Sequence, residues 1–470
     1  VIDLRPYQER TVERILGYAT ERPRGRLLVV LPPRTGKTPT FCVAARLLLG
    51  ATPPPGGARA RGLCVVPRVE ILDATLEHAL DVGIPESDIG VVYQDRPLDL
   101  SRPFQIATEG TLDRRNKPEA DFVVWDEGHH NACPRRRRIH GLYPNALHLG
   151  FTGTPERLTG AGLDEDYDDM IVPARSYELI HDGFLSVPTI FDPGEKVLPK
   201  TKGLRVRGGD FAVDQLEKLV GHGAFVDRLV DDWLRLAEGR RTVVFAVSVA
   251  HSKMIVERFR ARGVPAHHLD GDTSKADVSR DPNVLTRRQI LEQLRTGDLR
   301  VVSSVDVLGE GVNLPEVKCV VLGRPTLSLA LHIQQSARCM TPFRGERPRI
   351  LDMVGNTRWR HGLPWEDRPW SLARRRKSRG RAAGNGGAKV RGCECGALSP
   401  IGSLACAACG HVVPVADPPP VDAKPLVEVR FTPDELDARR ENLRTFARSN
   451  DFGEAWVERV MAEIVGAEAA

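Results

Sequence analysis

Short unbroken apolar runs alternate along this chain with longer stretches in which apolar residues recur every three or four positions. "LLVVL" within 26–31, "RGLCVVP" (61–67), "FQIAT" (104–108), "DFVVWDE" (121–127) and "ALHLGFTGTP" (146–155) have the length and density of strands buried on both faces. Helical periodicity lies between several of them, as in "TPTFCVAARLLL". This alternation predicts a parallel α/β sheet. A second alternating set begins after about residue 220. Its strands are "RTVVFAVS" (241–248), "PAHHLDG" (265–271), "LRVVSSVDVL" (299–308) and "VKCVVLGRP" (317–325). Its helices are "HSKMIVERFRARG" and "VLTRRQILEQLRTG", each closed by glycine. Near the end, "TPDELDARRENLRTFARSNDFGEAWVERVMAEIV" predicts one or two helices, with Thr432 as N-cap and Pro433 in the first turn.

Length and composition add limits to this pattern. At 470 residues the chain exceeds one ordinary core, so two or three domains are expected. With 41% hydrophobic and 27% charged residues it reads as a globular chain. No apolar run approaches the ~20 residues of a membrane span. The opening "VIDLRPYQER" has no signal-peptide pattern, and the expected location is cytoplasmic. The net charge of +5 is local: residues 371–392 hold six Arg and two Lys without an acid, leaving the remainder at −3. That segment reads either as a solubilising tether or as a phosphate-binding strap. Of nine cysteines, Cys42, Cys64, Cys133, Cys319 and Cys339 are scattered, whereas Cys393, Cys395, Cys406 and Cys409 cluster. Four thiolates suit tetrahedral zinc; the alternative is reduced thiols without a ligand. The second pair has standard spacing, the first is one residue short, and His411 could replace one ligand.

The chemistry starts at "LPPRTGKT" (31–38), a strand-to-helix loop ending in Gly36-Lys37-Thr38. Such a loop cradles phosphate with backbone N–H groups at a helix start, Thr35 and Gly36 among them. Lys37 would reach the β- and γ-phosphates of ATP, and the Thr38 hydroxyl would help hold Mg²⁺. The strict pattern has Gly where Leu31 stands. "VVWDEGHH" (123–130) supplies the complement: Asp126 as the Mg²⁺ carboxylate and Glu127 as the base for an attacking water.

Taken in order across residues 4–357, these segments resemble the superfamily-two helicases, in particular RadD-like repair helicases and the helicases of restriction systems and phages. "LRPYQ" resembles the Q motif, "PPRTGKT" motif I, "VVPRVEIL" and "IATEGTL" motifs Ia and Ib, and "DEGHH" motif II. "GFTGTP" resembles motif III, "VSSVDVLGEGVNLP" motif V and "QQSARCM" motif VI. The resemblance implies two tandem RecA-like parallel-sheet domains, over 1–175 and 176–370. After them come a basic flexible linker (371–392), a small zinc-ribbon element (393–412) and a Pro-rich linker with a helical tail (413–470). It implies that Gln8 reads the adenine edge and that Gly311, with Glu310 and Asn313, belongs to motif V. It puts Arg68, Thr108, Thr152 and Thr154 on the nucleic-acid side, with the two motif III threonines linking cleft to track. His130 and Gln334 would stand between the lobes.

Motif VI departs from the family pattern Gln-x-x-Gly-Arg-x-x-Arg. Gln334 and Arg338 match, Ala337 replaces Gly, and Thr341 replaces the final Arg. In the family both arginines face the γ-phosphate as fingers worth ~10³–10⁵ in rate. Arg344, three residues on, is the nearest basic residue that could substitute. Motif I also departs, with Arg34 where many members have Gly. The run Arg135–Arg138 reads either as a nucleic-acid contact or as a solvated helix face. The reading is an ATP-dependent DNA helicase or translocase using Mg-ATP, with structural zinc. Single-stranded or forked DNA is its expected polymer, RNA is left open, and a protein partner could dock through the zinc element or tail. Two alternatives stand beside it: a double-strand translocase that does not separate strands, and a nucleotide-gated DNA clamp with weak ATPase.

Overall fold

The computed structural model describes residues 3–373 apart from 51–58, 94–95, 115–116, 131–132, 158–159, 194–197, 272, 274–284, 306 and 309–312. It also describes most of 390–411 and scattered positions between 437 and 458. Motif V residues Glu310 and Gly311, the proposed cap Thr432 and most of the basic segment lie outside the described residues.

Two parallel sheets follow one another in the chain. The first holds β1 (Arg26–Val30), β2 (Gly62–Val66), β3 (Ile89–Val92), β4 (Phe104–Thr108), β5 (Phe122–Asp126), β6 (Leu147–Thr152) and β7 (Asp169–Ile171). They lie in the order β3-β4-β2-β5-β6-β1-β7, every pair parallel. Strands β2, β4, β5 and β6 are buried at every position, which is why their sequences are continuous apolar runs rather than alternations.

The second sheet begins with β8 (Thr189–Phe191). After the short hairpin β9 (Val206–Arg207) and β10 (Asp210–Phe211) come β11 (Thr242–Phe245), β12 (Ala266–Leu269), β13 (Val301–Ser304), β14 (Cys319–Leu322) and β15 (Arg349–Asp352). Strands β16 (Val390–Gly392) and β17 (Ala397–Pro400) complete it, giving the order β12-β13-β11-β14-β15-β8-β17-β16. All pairs are parallel up to β8; β17 then joins β8 antiparallel, with Ala397 opposite Phe191 and Leu398 opposite Ile190.

Helix ends follow local chemistry. The helix Pro6–Glu21 starts on proline and is capped by Gln8, whose Oε1 accepts from the Arg5 N–H at 2.9 Å. Arg287–Thr296 opens on a Thr286/Gln289 capping box and stops at Gly297, φ 99°. At β15 the buried Asp352 carboxylate accepts from the N–H groups of Asn356 at 3.0 Å and Thr357 at 2.6 Å, so "LDMVGN" is a backbone-capping turn. Residues 414–470 form a separate compact unit, helical at the described positions of 437–444 and 454–458, where Arg444 pairs with Glu454 at 2.6 Å. No helix among the described residues is long and apolar enough to cross a membrane.

The cysteine segment, expected as a small zinc-ribbon element after the second lobe, packs on the edge of the second sheet. Strand β17 is hydrogen-bonded to the edge of the second sheet, and buried Cys406 belongs to the same hydrophobic core as Ile190 and Leu398.

Candidate active site and cysteine cluster

Parallel pairing decides where the chemistry gathers. Val30 is in register with Thr152, and Asp126 with Phe151, so the segments that follow β1, β5 and β6 leave the same carboxyl edge. They carry the phosphate loop, Asp126-Glu127 and Thr152-Gly153-Thr154.

The loop is held from behind by the first helix. The Tyr7 hydroxyl donates to the Thr35 carbonyl at 2.6 Å, and Gln8 Nε2 donates to the carbonyls of Thr35 at 3.1 Å and Gly36 at 3.2 Å. Gln8 is thus turned onto the loop backbone, with both ends of its amide engaged. Helix Lys37–Gly50 starts directly at the lysine, which presents a helix N-terminus beside the Lys37 and Thr38 side chains. A Cβ on Gly153 would lie 2.9 Å from Pro33 Cγ, so a larger residue there would require the loop proline to shift.

Lys37 Nζ lies 3.5 Å from Glu127 Oε1, and His129 Nδ1 lies 3.4 Å from Glu127 Oε2. Burial alone would raise the Glu127 pKa, but Lys37, His129 and His130 outweigh it and hold the carboxyl well below its ordinary value. Glu127 also has φ 47°, one of four non-glycine residues with positive φ among the described residues; Arg34 at 71° is another. Such backbone costs about 1–3 kcal/mol per residue and collects at functional sites.

His129 links the Lys37–Glu127 pair to the end of β6. Its Nδ1 is 2.8 Å from Thr152 Oγ1, and Thr152 Oγ1 in turn accepts from the Thr154 N–H at 3.1 Å. Thr152 and Thr154 are both fully buried, so neither side chain is presented at the surface in this structure. Thr108 is also buried, its hydroxyl donating to Thr111 at 3.0 Å, whereas Arg68 is exposed at the start of helix Val69–Asp81.

The arginine run is corrected too. Arg135, Arg137 and Arg138 are exposed, but Arg136 is fully buried. Its Nε donates to Glu109 at 2.6 Å, and Nη1 donates to the carbonyls of Asp126 and Glu127, both at 3.0 Å. It ties motif Ib to the backbone of motif II. Arg136→Ala should destabilise the chain by about 3 kcal/mol, the lower end for breaking a buried pair. The lower end applies because Glu109 keeps 22% of its side chain accessible and can be partly solvated. Denaturant unfolding measures this, and a loss below about 1 kcal/mol would remove Arg136 from that role.

The second sheet's motifs face this edge. Arg34 Nε donates to Thr341 Oγ1 at 2.9 Å, and its Nη2 donates to Asn313 Oδ1 at 3.2 Å. Burial lowers the Arg34 pKa to about 10, which leaves the guanidinium charged at neutral pH. Gln334 is on helix Leu329–Ser336, and Arg338 is in the 3₁₀ turn Ala337–Cys339 that extends it; both are half-buried. Arg344 is exposed, its guanidinium 5.0 Å from the Phe343 ring centroid.

The four clustered thiols lie within 4.8 Å of one another. Cys393 and Cys409 Sγ are 3.6 Å apart, and Cys395 and Cys406 Sγ 3.7 Å. A zinc tetrahedron with bonds of ~2.3 Å has edges of about 3.8 Å, so the donor set fits the metal. Both turns close alike: Gly396 N–H donates to Cys393 O at 2.9 Å and Gly410 N–H to Cys406 O at 2.8 Å, with φ of 86° and 72°. The shorter first pair therefore makes an equivalent knuckle. His411 is exposed and stands outside the cluster.

Residues 1–157 match the family model described as Type III restriction enzyme, res subunit, and residues 224–341 match Helicase conserved C-terminal domain. A 51.5 kDa protein of a Lactococcus phage (isolate 7-9) is 27% identical over 395 residues, 82% of this chain and 77% of its own length. A Schizosaccharomyces pombe protein named for a mitochondrial ATP-dependent helicase, irc3, is 25% identical over 373 residues, 76% of this chain and 58% of its own length. Among solved structures, the ATP-dependent Type ISP restriction-modification enzyme LlaBIII bound to DNA aligns with a TM-score of 0.54 at 16% identity, over 74% of this chain and 27% of that one. That likeness concerns the fold.

Proposed function

Because the chain belongs to the superfamily-two helicases, a family of ATP hydrolases, we propose that it couples Mg-ATP hydrolysis to movement along DNA or to separation of its strands. The observation that carries this is the shared carboxyl edge, where Lys37, the Asp126–Glu127 pair and the Glu127–His129–Thr152 link converge opposite motif VI. In this reading the lobes are 1–175 and 176–370. Backbone N–H groups of Thr35 and Gly36 and the Lys37 ammonium take the phosphates, while Thr38 and Asp126 hold Mg²⁺. Glu127 orients and deprotonates the water, and Gln334 and Arg338 act from the second lobe. Lys37 is paired with Glu127 in the structure; drawn instead to phosphate, it releases the carboxylate and makes it a better base.

The link through His129 and Thr152 gives the base a mechanical connection to motif III, as a motor needs if polymer binding is to govern hydrolysis. DNA as the polymer is supported by the restriction-enzyme family model over residues 1–157. We also propose that Cys393, Cys395, Cys406 and Cys409 hold one structural Zn²⁺.

The test is ATP hydrolysis by the purified chain alone and with single-stranded DNA, duplex DNA or RNA, beside Lys37→Ala. Strong stimulation by DNA, lost in Lys37→Ala, is the expected result. Tight ATP-dependent DNA binding with no hydrolysis on any polymer would sink the motor and leave a nucleotide-gated clamp.

A further inference from the structure

We propose that the second cleft arginine has changed lobes: Arg34, from the phosphate loop, supplies to the transferring phosphoryl group the positive charge that Thr341 lacks. The inference rests on the ATPase reading above. Its first support is position. Arg34 Nε is 2.9 Å from Thr341 Oγ1, so its guanidinium lies directly against the side chain at the position of the missing charge.

The second support is backbone conformation. Arg34 has φ 71°, a region that favours glycine and that an L side chain enters at a cost. A guanidinium placed there against its own backbone preference marks a use for it. The third support is charge. Buried Lys318 sits beneath the same residue, its Nζ donating to the carbonyls of Thr341 and Cys339. With Arg34 in place, an arginine at 341 would add a third cation beside Lys318 and Arg34, whereas threonine accepts from Arg34 and adds no charge. Arg344 is turned away onto Phe343.

The chemistry needs no new reactant. As the bond to the leaving phosphate oxygen breaks and the bond to water forms, negative charge spreads over the transferring oxygens, and Arg34 neutralises part of it. One arginine then comes from each lobe: Arg34 is fixed to the phosphate loop, and Arg338 belongs to the second sheet.

The experiment compares wild type, R34G and R34G/T341R. Readouts are DNA-stimulated kcat, affinity for ADP with aluminium fluoride (a mimic of the transferring phosphoryl group), affinity for ADP alone, and melting temperature. R34G should lower kcat and the affinity for the mimic by about 10³-fold, the lower end for an arginine finger because Arg338 remains. ADP affinity should hold, and R34G should melt no lower than wild type, since glycine adopts this φ freely. R34G/T341R should regain at least about tenfold of the loss. Wild-type kcat and mimic affinity in R34G, or a double variant no better than R34G, would overturn the inference. A wild-type chain with no polymer-stimulated hydrolysis would instead overturn the ATPase reading, and this inference with it.

Discussion

Glu127→Gln is expected to slow DNA-stimulated ATP turnover by about 10²–10⁴-fold, the range that a positioned general base contributes. Nucleotide binding should survive. Glutamine has nearly the same shape, so it can occupy the buried niche between Lys37 and His129 and keep the left-handed backbone that glutamate already tolerates. What it loses is the charge. Lys37 then has no carboxylate competing for it, so ATP affinity should stay level or rise while kcat falls. Measuring kcat and KM separately shows this split. A variant that hydrolyses ATP at the wild-type rate would take Glu127 out of the base role. The acid behaviour follows from the same contacts. The folded carboxyl lies below its ordinary value, so the stability it lends is full above the unfolded pKa of about 4.3 and is lost only as pH falls further. Wild-type hydrolysis near neutral pH should therefore not be limited by protonation of Glu127 in the free enzyme.

The sheets were legible in the sequence because their strands are buried on both faces, and continuous apolar runs therefore mark them. The ends of those runs also mark the site, since a parallel sheet brings the carboxyl ends of its strands to one edge. Short or peripheral strands carried no such signal. Thr189–Phe191 and Asp169–Ile171 have three residues each, too few for a period to show. Strand β17 reads as "ALSP", and its pairing with β8 depends on a partner more than 200 residues away.

Side-chain partners were hidden for a related reason. Four consecutive arginines look like a solvated face, yet Arg136 and Ile139 stand three apart on a helix and both turn inward. In the sequence Thr341 stands out as a missing charge, and the next basic residue along the chain is Arg344. The substitute lies 307 residues away, in the very motif whose glycine was replaced. Two departures from the family pattern, read separately as defects, become one rearrangement when the fold sets them side by side. The motif II histidines show the same limit. The pattern marks "DEGHH" as a whole, but the geometry shows His129 reaching Glu127 and Thr152, with the His130 ring tilted beside it at 4.1 Å between ring centroids.

Removing the metal from the cysteine cluster should weaken the second sheet and the ATPase together. Structural zinc sites bind with apparent free energies of ~10–16 kcal/mol in small domains, and much of that is folding free energy. Here the folding in question includes the sheet edge. Without an ordered cluster, β17 loses its anchor, and β8 is left as an exposed edge with unpaired backbone groups. The metal content of the purified chain should be one zinc, and Cys406→Ser, or chelation, should lower the melting temperature far beyond the ~1 kcal/mol of an ordinary point change. Cys406 is the informative choice because it is both one of the four clustered thiols and 3% exposed in the core that β8 and β17 share. A cluster that served only to bring the motor to DNA would behave differently: its loss would reduce DNA affinity and leave melting and basal hydrolysis intact. The hydrogen-bonded junction from Ala397–Leu398 to Ile190–Phe191 favours the first outcome, because it connects the thiols through two strands to β15, whose Asp352 turn closes the same lobe that carries Arg338.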